Sequence, residues 1–289
     1  MLSVPASLLG YRGAGEMAAV IRNALRPKPS LFVWQWADLR RKLNRKHSKE
    51  DGRWSTGRVP FMREPMECLS ARSPVQRVVL KKGAQDSGTE TANNWCGYTI
   101  DHDPSSILYV SPTLTVTKRT SARIQSMVDD DPDGLGRKIL PARKAGSKNS
   151  QFEKHFPGDA IYFATAMSAA TLRSTAAGKV VLDEVDAYPL DVDGEGGVVE
   201  VVEARGFTYG DQFKALLIST PGVEQTSVIE PEYKKGDQRF YFMRCPHAAC
   251  GRHLHFRKEG FAWTPGRPKT VHYLCDHCGR KIVEGRHKT

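Results

Sequence analysis

Three groups of residues have the types and spacing to do chemistry. The first is KKGAQDSGTE, residues 81–90, which follows the apolar run RVVL and precedes the helical stretch ETANNWCGYTI. A strand, a glycine-containing loop and a helix N-terminus in that order can cradle phosphate, because free backbone N–H groups and the helix dipole point at the anion. Gly83 and Gly88 have the separation of the G-x-x-x-x-G-K-[ST] loop, but Thr89 stands where that pattern has Lys. On its residues alone the run is either a phosphate loop or a simple strand-to-helix turn. The second group is KVVLDEVDAYP, in which the apolar strand Val180, Val181, Leu182 ends in Asp183 and Glu184. A carboxylate at a strand's C-terminal end can hold the water shell of Mg²⁺, and a second beside it can orient or deprotonate an attacking water. Adjacent strand residues point to opposite faces, which allows the two acids different roles. An acidic turn after a buried strand is the plainer reading, and a phosphate loop upstream in the same chain argues against it.

The third group is Cys245-x4-Cys250 and Cys275-x2-Cys278, with 24 residues between the pairs. That spacing fits a four-thiolate tetrahedral zinc site joining two β-turns. CPHAACG reads as a two-residue expansion of CPHCG, which leaves His247 and His277 as substitute ligands or bystanders. The ribbon's role is structural, with DNA contact as a lesser option. Cys68 and Cys96 stand alone and read as small buried hydrophobes.

These groups need elements to position them. Short β-branched runs alternate with longer polar helical patterns from Val75 onward: VVL at 78–80, ILYV at 107–110, AIYFAT at 160–165, VVL at 180–182 and ALLI at 215–218. Such alternation predicts an α/β fold, a mostly parallel sheet with helices on both faces. ALLISTP ends a buried strand in hydroxyl residues and a proline; in motor ATPases a polar group at such a strand end can sense the γ-phosphate, and alone the run means no more than a strand with a turn. LFVWQWADLRRKL predicts a lead-in helix over 31–43 with Phe32, Trp36, Leu39 and Leu43 on one face. A basic polar linker follows, and the Asp-, Gly- and Lys-rich stretch from Asp129 to Ser150 reads as an exposed loop.

At 289 residues with 39% hydrophobic content, the chain can build one large domain and a small appendage, which argues against global disorder. Its 43 Lys and Arg outnumber 32 Asp and Glu, a net +11 that suits a polyanionic partner without requiring one. The first residues have no basic n-region and no window approaches a membrane span, so a soluble, cytoplasmic protein is expected.

Taken together, residues from about 34 to 288 resemble the GpA family of phage terminase large subunits. GRWSTGRVPFMREPMECLS, residues 52–70, resembles the segment that in this family precedes the ATPase sheet and packs near the adenine. Met62 stands where lambda-like members place a Gln. KKGAQDSGTE resembles its deviant Walker A motif, in which a Lys at the start of the loop, here Lys82, stands in for the missing later Lys. YVSPT at 109–113 and FPGDAIYFATAMSAATLRS at 156–174 resemble the segments leading to Walker B, and LDEVDAYP at 182–189 resembles Walker B itself. STPGVEQTSVIEPEYKKGDQRFYFMRCPH, residues 219–247, resembles the coupling motif and its passage into the zinc-binding segment.

The resemblance implies a P-loop ATPase domain of the additional-strand type over 55–235, after an N-terminal lead-in over 1–54, and a zinc ribbon over 240–285. It implies ATP and Mg²⁺ bound by Lys82, Gly83, Gln85, Ser87, Gly88, Thr89, Asp183 and Thr220, with Glu184 activating water beside Asp183. It implies Zn²⁺ on Cys245, Cys250, Cys275 and Cys278. The implied partners are double-stranded DNA, a small terminase subunit, a portal and procapsid, and further copies of the chain in the active motor. The family's nuclease is not expected within this chain, whose acidic runs lack strands to fix a two-metal centre. A DNA-stimulated ATPase outside packaging and a catalytically dead DNA-binding remnant of a prophage terminase are the alternatives.

Overall fold

The computed structural model describes residues 13–24, 29–46, 50–139, 149–223 and 225–283. It divides into two compact units, Met1–Glu232 and Tyr233–Thr289. Six strands form the sheet of the first: β1 (Arg77–Lys81), β2 (Ile107–Ser111), β3 (Glu153–Phe156), β4 (Asp159–Thr165), β5 (Lys179–Asp183) and β6 (Lys214–Ser219). Their spatial order is β1-β6-β5-β2-β4-β3. Neighbours from β1 to β4 are parallel, and β3 closes one edge antiparallel to β4. Strand β6 therefore lies between the strand before the glycine loop and the strand ending in Asp183. The five apolar runs all lie within strands, whereas β3 was not expected from the sequence.

Alternate residues of these strands feed two cores, as burial on both faces requires. Val181, Leu216 and Ile218 face one core together with Trp95 and Ile124. Val180, Leu182, Ala215 and Leu217 face the other, with Leu172 and Val202. The first core is roofed by α1 (Val33–Arg40), α2 (Gly88–Asp101) and α3 (Leu114–Asp129).

Helix α1 docks on α2 through one notch. A Cβ at Gly97 would come within 2.8 Å of the Trp36 ring, so the absent side chain makes room for the indole. Trp36 Nε1 then donates to Asp101 Oδ2 at 2.9 Å. A glycine inside a helix costs about 1 kcal/mol against alanine, less than the roughly 1.5–3 kcal/mol that burying a large apolar side chain contributes. Just beyond α1, the buried Arg41 reaches Glu90 in the first turn of α2 at 2.8 Å. The expected inward face of α1 is corrected in part. Val33, Trp36 and Ala37 are buried, but Leu39 is 61% exposed, because the helix ends at Arg40 and its packed stripe is narrower than the pattern suggested.

The stretch from Asp129 is also more ordered than a loop reading allows. Leu135–Lys138 forms a short helix with Leu135 buried, while 140–148 lies outside the described residues. Among the described residues, no helix is long and apolar enough to cross a membrane.

Candidate functional site

Strand β1 delivers the chain into the glycine loop, and the Lys82 N–H still donates to Ser219 O of β6 at 3.1 Å. Gln85 and Ser87 then adopt left-handed conformations, with φ of 61° and 57°. Such turns direct successive N–H groups into a concavity suited to anions. Ser87 precedes α2 without a side-chain cap, so the first N–H groups of this 14-residue helix have no hydroxyl or carboxylate acceptor from it. Lys82 Nζ donates to Gly83 O at 3.2 Å, which turns its ammonium back over the loop.

Asp183 shares the strand parity of Val181 and so points to the same face as α2. There its Oδ2 accepts from Thr89 Oγ1 and from the Tyr109 hydroxyl, each at 3.0 Å. Burial raises the Asp183 carboxyl above its ordinary value, opposed by these two hydrogen bonds. Burial, with Asp183 beside it, likewise holds the Tyr109 phenol protonated and hence a donor. A carboxylate next to a threonine hydroxyl is a hard oxygen pair of the kind Mg²⁺ takes. Glu184 is the first residue past the strand, at φ 61° and ψ 51°. A left-handed conformation is uncommon for a residue with a Cβ, and here it accompanies a carboxylate at the cavity wall.

These elements enclose a cavity of about 510 Å³, within the range of small-molecule sites. Lys82, Gln85, Ser87, Gly88, Thr89 and Glu184 form one side of it. Leu43, Trp54, Ser55, Arg58 and Val59 form another, contributed by the segment that precedes the sheet. Met62 does not line it and is buried in the first core at 3% exposure. Arg123, from α3, completes the lining and was not singled out by sequence; only the packing of α3 beside α2 brings it there.

Of the expected nucleotide residues, Lys82, Gln85, Ser87, Gly88 and Thr89 converge on this cavity. Asp183 lies beneath Thr89. Gly83 and Thr220 do not line the cavity. Thr220 has already left β6, and the strand-end hydroxyl that is engaged is Ser219, whose Oγ accepts from Asp186 N at 3.1 Å. Lys81 points away to an ion pair with Glu230 at 2.9 Å. Asp86 lines the cavity with its carboxylate folded against the Cα of Gly83.

Asp186 is not singled out by the sequence. Its carboxylate accepts from the backbone N–H groups of Gly222 at 2.6 Å, Val228 at 3.0 Å and Ile229 at 2.7 Å. It thereby ties the end of the acidic strand to the segment after β6.

In the second unit, the Sγ atoms of Cys245, Cys250, Cys275 and Cys278 all lie within 4.8 Å of one another. The Cys245–Cys278 and Cys250–Cys275 separations are 3.9 and 4.0 Å. A tetrahedral zinc with Zn–S bonds of about 2.3 Å places sulfurs about 3.8 Å apart, so the residues fit the ion. Gly251 and Gly279, one residue past the second Cys of each pair, take φ of 55° and 66°, as the tight turn of each knuckle requires. His247 and His277 are not in the cluster. Each reaches instead to a backbone oxygen of a neighbouring segment, His247 to Lys281 O and His277 to His253 O, both at 3.1 Å.

The family described as phage terminase large subunit gpA, ATPase domain, matches residues 48–289 of the chain. The chain is 26% identical over 277 residues to the large terminase subunit of Enterobacteria phage P21, covering 92% of this chain and 42% of that protein. It is 25% identical over 270 residues to the large terminase subunit of Escherichia phage lambda, covering 90% and 41%. The chain thus spans about two fifths of the length of these curated relatives. Among solved structures, the large terminase of bacteriophage HK97 superposes with a TM-score of 0.53 at 10% identity, over 70% of this chain and 40% of that one, a likeness of fold alone.

Proposed function

The chain belongs to the family of the phage terminase large subunit gpA ATPase domain, and on that premise we propose that its cavity binds and hydrolyses ATP as the motor part of a DNA-packaging terminase. The observation that carries this reading is the meeting of Lys82, Thr89 and Glu184 at one cavity from two separate strand ends, with Asp183 hydrogen-bonded to Thr89 beneath it.

Backbone N–H groups of the Gln85–Ser87 turn and the start of α2 receive the β-phosphate region, and Lys82 supplies the mobile positive charge over it. Thr89 and Asp183 would hold Mg²⁺, which would supply positive charge to offset the charge that develops on the phosphate. Glu184, on the wall of the same cavity, orients a water and takes its proton. The Trp54–Val59 side receives the base. Asp186 and Ser219 link this strand end to the segment after β6, a route by which the state of the site reaches the rest of the chain.

The four thiolates hold one Zn²⁺ whose role is to fold the second unit, since this small core contains few apolar groups besides the cysteines. Double-stranded DNA, a small terminase subunit, a portal and further copies of the chain are the partners in packaging. The test is ATP turnover by the purified chain with Mg²⁺, with and without duplex DNA. Turnover stimulated by DNA supports the motor; ATP binding with no turnover under either condition points to the catalytically dead alternative.

A further inference from the structure

The positive charge of the chain is unevenly placed. The unit Tyr233–Thr289 contains 13 of the 43 Lys and Arg residues but 4 of the 32 Asp and Glu, so it carries +9 of the net +11. The larger unit is close to balanced. A small unit of such charge attracts polyanions over the distance of a Debye length and, on contact with nucleic acid, releases condensed counterions.

Within this unit, Phe261–Thr264 and Arg267–Leu274 form an antiparallel hairpin closed by Pro265 and Gly266. Gly266 has φ 77°, the left-handed value that a turn with Pro followed by Gly requires. One end of the hairpin is anchored: Tyr273 is 2% exposed, with its ring 5.1 Å from that of Phe261. The other end is not packed in this way. The pairing shifts register between Ala262 and Thr264, so Trp263 sits at an irregularity, and it is 59% exposed. On the partner strand Arg267, Lys269 and Val271 are all exposed. The hairpin end thus combines an indole in solvent with two cations on a strand of the same turn.

We infer that this hairpin end is a contact surface for unpaired DNA, with Trp263 stacking on a base and Arg267 and Lys269 neutralising neighbouring phosphates. An aromatic face beside cations is what an unpaired strand needs, because its bases offer open π-faces. A duplex would use the cations but leave the indole without a partner. The inference extends the proposed DNA translocation by naming a strand contact, and it stands or falls separately from ATP hydrolysis.

The test uses the full zinc-loaded chain and measures its affinity for labelled oligo(dT) and for a duplex of equal length. Trp263→Ala is expected to weaken oligo(dT) binding about tenfold, the scale of one lost stack, and to leave duplex binding unchanged. Trp263→Phe is expected to retain most of the affinity. The double variant Arg267→Glu, Lys269→Glu is expected to weaken both and to flatten the salt dependence by about two counterions. Zinc content and DNA-free ATP turnover stay at parental values in all three.

A second reading does not depend on the alanine variant. Oligo(dT) should quench the emission of Trp263, taken as the difference between the parent and Trp263→Phe. Unchanged oligo(dT) affinity in Trp263→Ala, equal losses for oligo(dT) and duplex, or an emission unaffected by oligo(dT) would each overturn the inference.

Discussion

The stem of Lys82 lies across the Cα of Gly88: a Cβ built at Gly88 would come within 2.8 Å of Lys82 Cδ and of Ile218 Cγ2. The early lysine at 82 and the absent side chain at 88 are therefore two sides of one arrangement. The space above the helix start can be crossed by a side chain from position 82 only if position 88 has none. Lys82→Ala should weaken ATP binding about 10- to 100-fold, the scale of a charge-assisted contact. Gly88→Lys should weaken binding too, because it displaces Lys82 and collides with Ile218. Nucleotide titration by calorimetry checks both; parental affinity in Gly88→Lys would show that Lys82 is not held there.

Asp183 gives the site a pH dependence whose sign follows from its burial. Its carboxyl titrates above the ordinary 3.8 when folded, so the apo fold is most favoured below that value and loses stability as pH rises through the raised one. Mg²⁺ needs the ionised form, so Mg·ATP affinity should rise over the same interval. Asp183→Asn should remove both trends, melting no lower than the parent at neutral pH while binding Mg·ATP at least about tenfold more weakly. Melting curves and titrations across the acid-to-neutral range are the measurement. A variant that melts well below the parent would show that the ionised carboxylate stabilises the apo fold.

Asp186 holds three backbone N–H groups of the segment after β6. Asp186→Ala should destabilise the chain by about 2 kcal/mol, the scale of losing hydrogen bonds to a charged acceptor, and Asp186→Asn by less because one acceptor oxygen remains. Denaturant unfolding distinguishes them. Equal losses in the two variants would mean that the hydrogen bonds do not set the effect.

The purified chain should contain one zinc, and chelation should unfold Tyr233–Thr289 while the sheet of the larger unit survives. His247→Ala should keep the metal, since the imidazole reaches a carbonyl and not the cluster, whereas Cys275→Ser should lose it. Metal analysis with circular dichroism reads both; loss of zinc in His247→Ala would place that residue among the ligands.

Much of this arrangement can be read from local sequence, and the rest depends on long-range pairing. The strands β2, β5 and β6 announce themselves because both of their faces are buried, which demands unbroken apolar runs, and β1 and β4 carry similar runs. Strand β3, EKHF, has a polar sequence and is a strand only through its pairing with β4. The roles suggested for Lys82 and Glu184 rest on motifs of a few residues. Arg123 offers no such signal, and the YVSPT motif that contains Tyr109 does not point to a contact with Asp183. Tyr109 reaches Asp183 only because β2 and β5 are neighbours, and Arg123 reaches the cavity only because α3 packs beside α2. Thr220 does not line the cavity, and the preceding strand-end hydroxyl, Ser219, accepts from Asp186 N.

Glu184→Gln separates chemistry from binding at the centre of this account, because the substitution keeps the shape of the side chain and removes its ability to take a proton. Single-turnover hydrolysis of Mg·ATP, measured beside equilibrium binding of the same nucleotide, should show parental affinity and a rate at least about 100-fold lower. Parental turnover in Glu184→Gln, or failure of the parent chain to bind Mg·ATP at all, would contradict the assignment of this cavity as an ATP hydrolysis site.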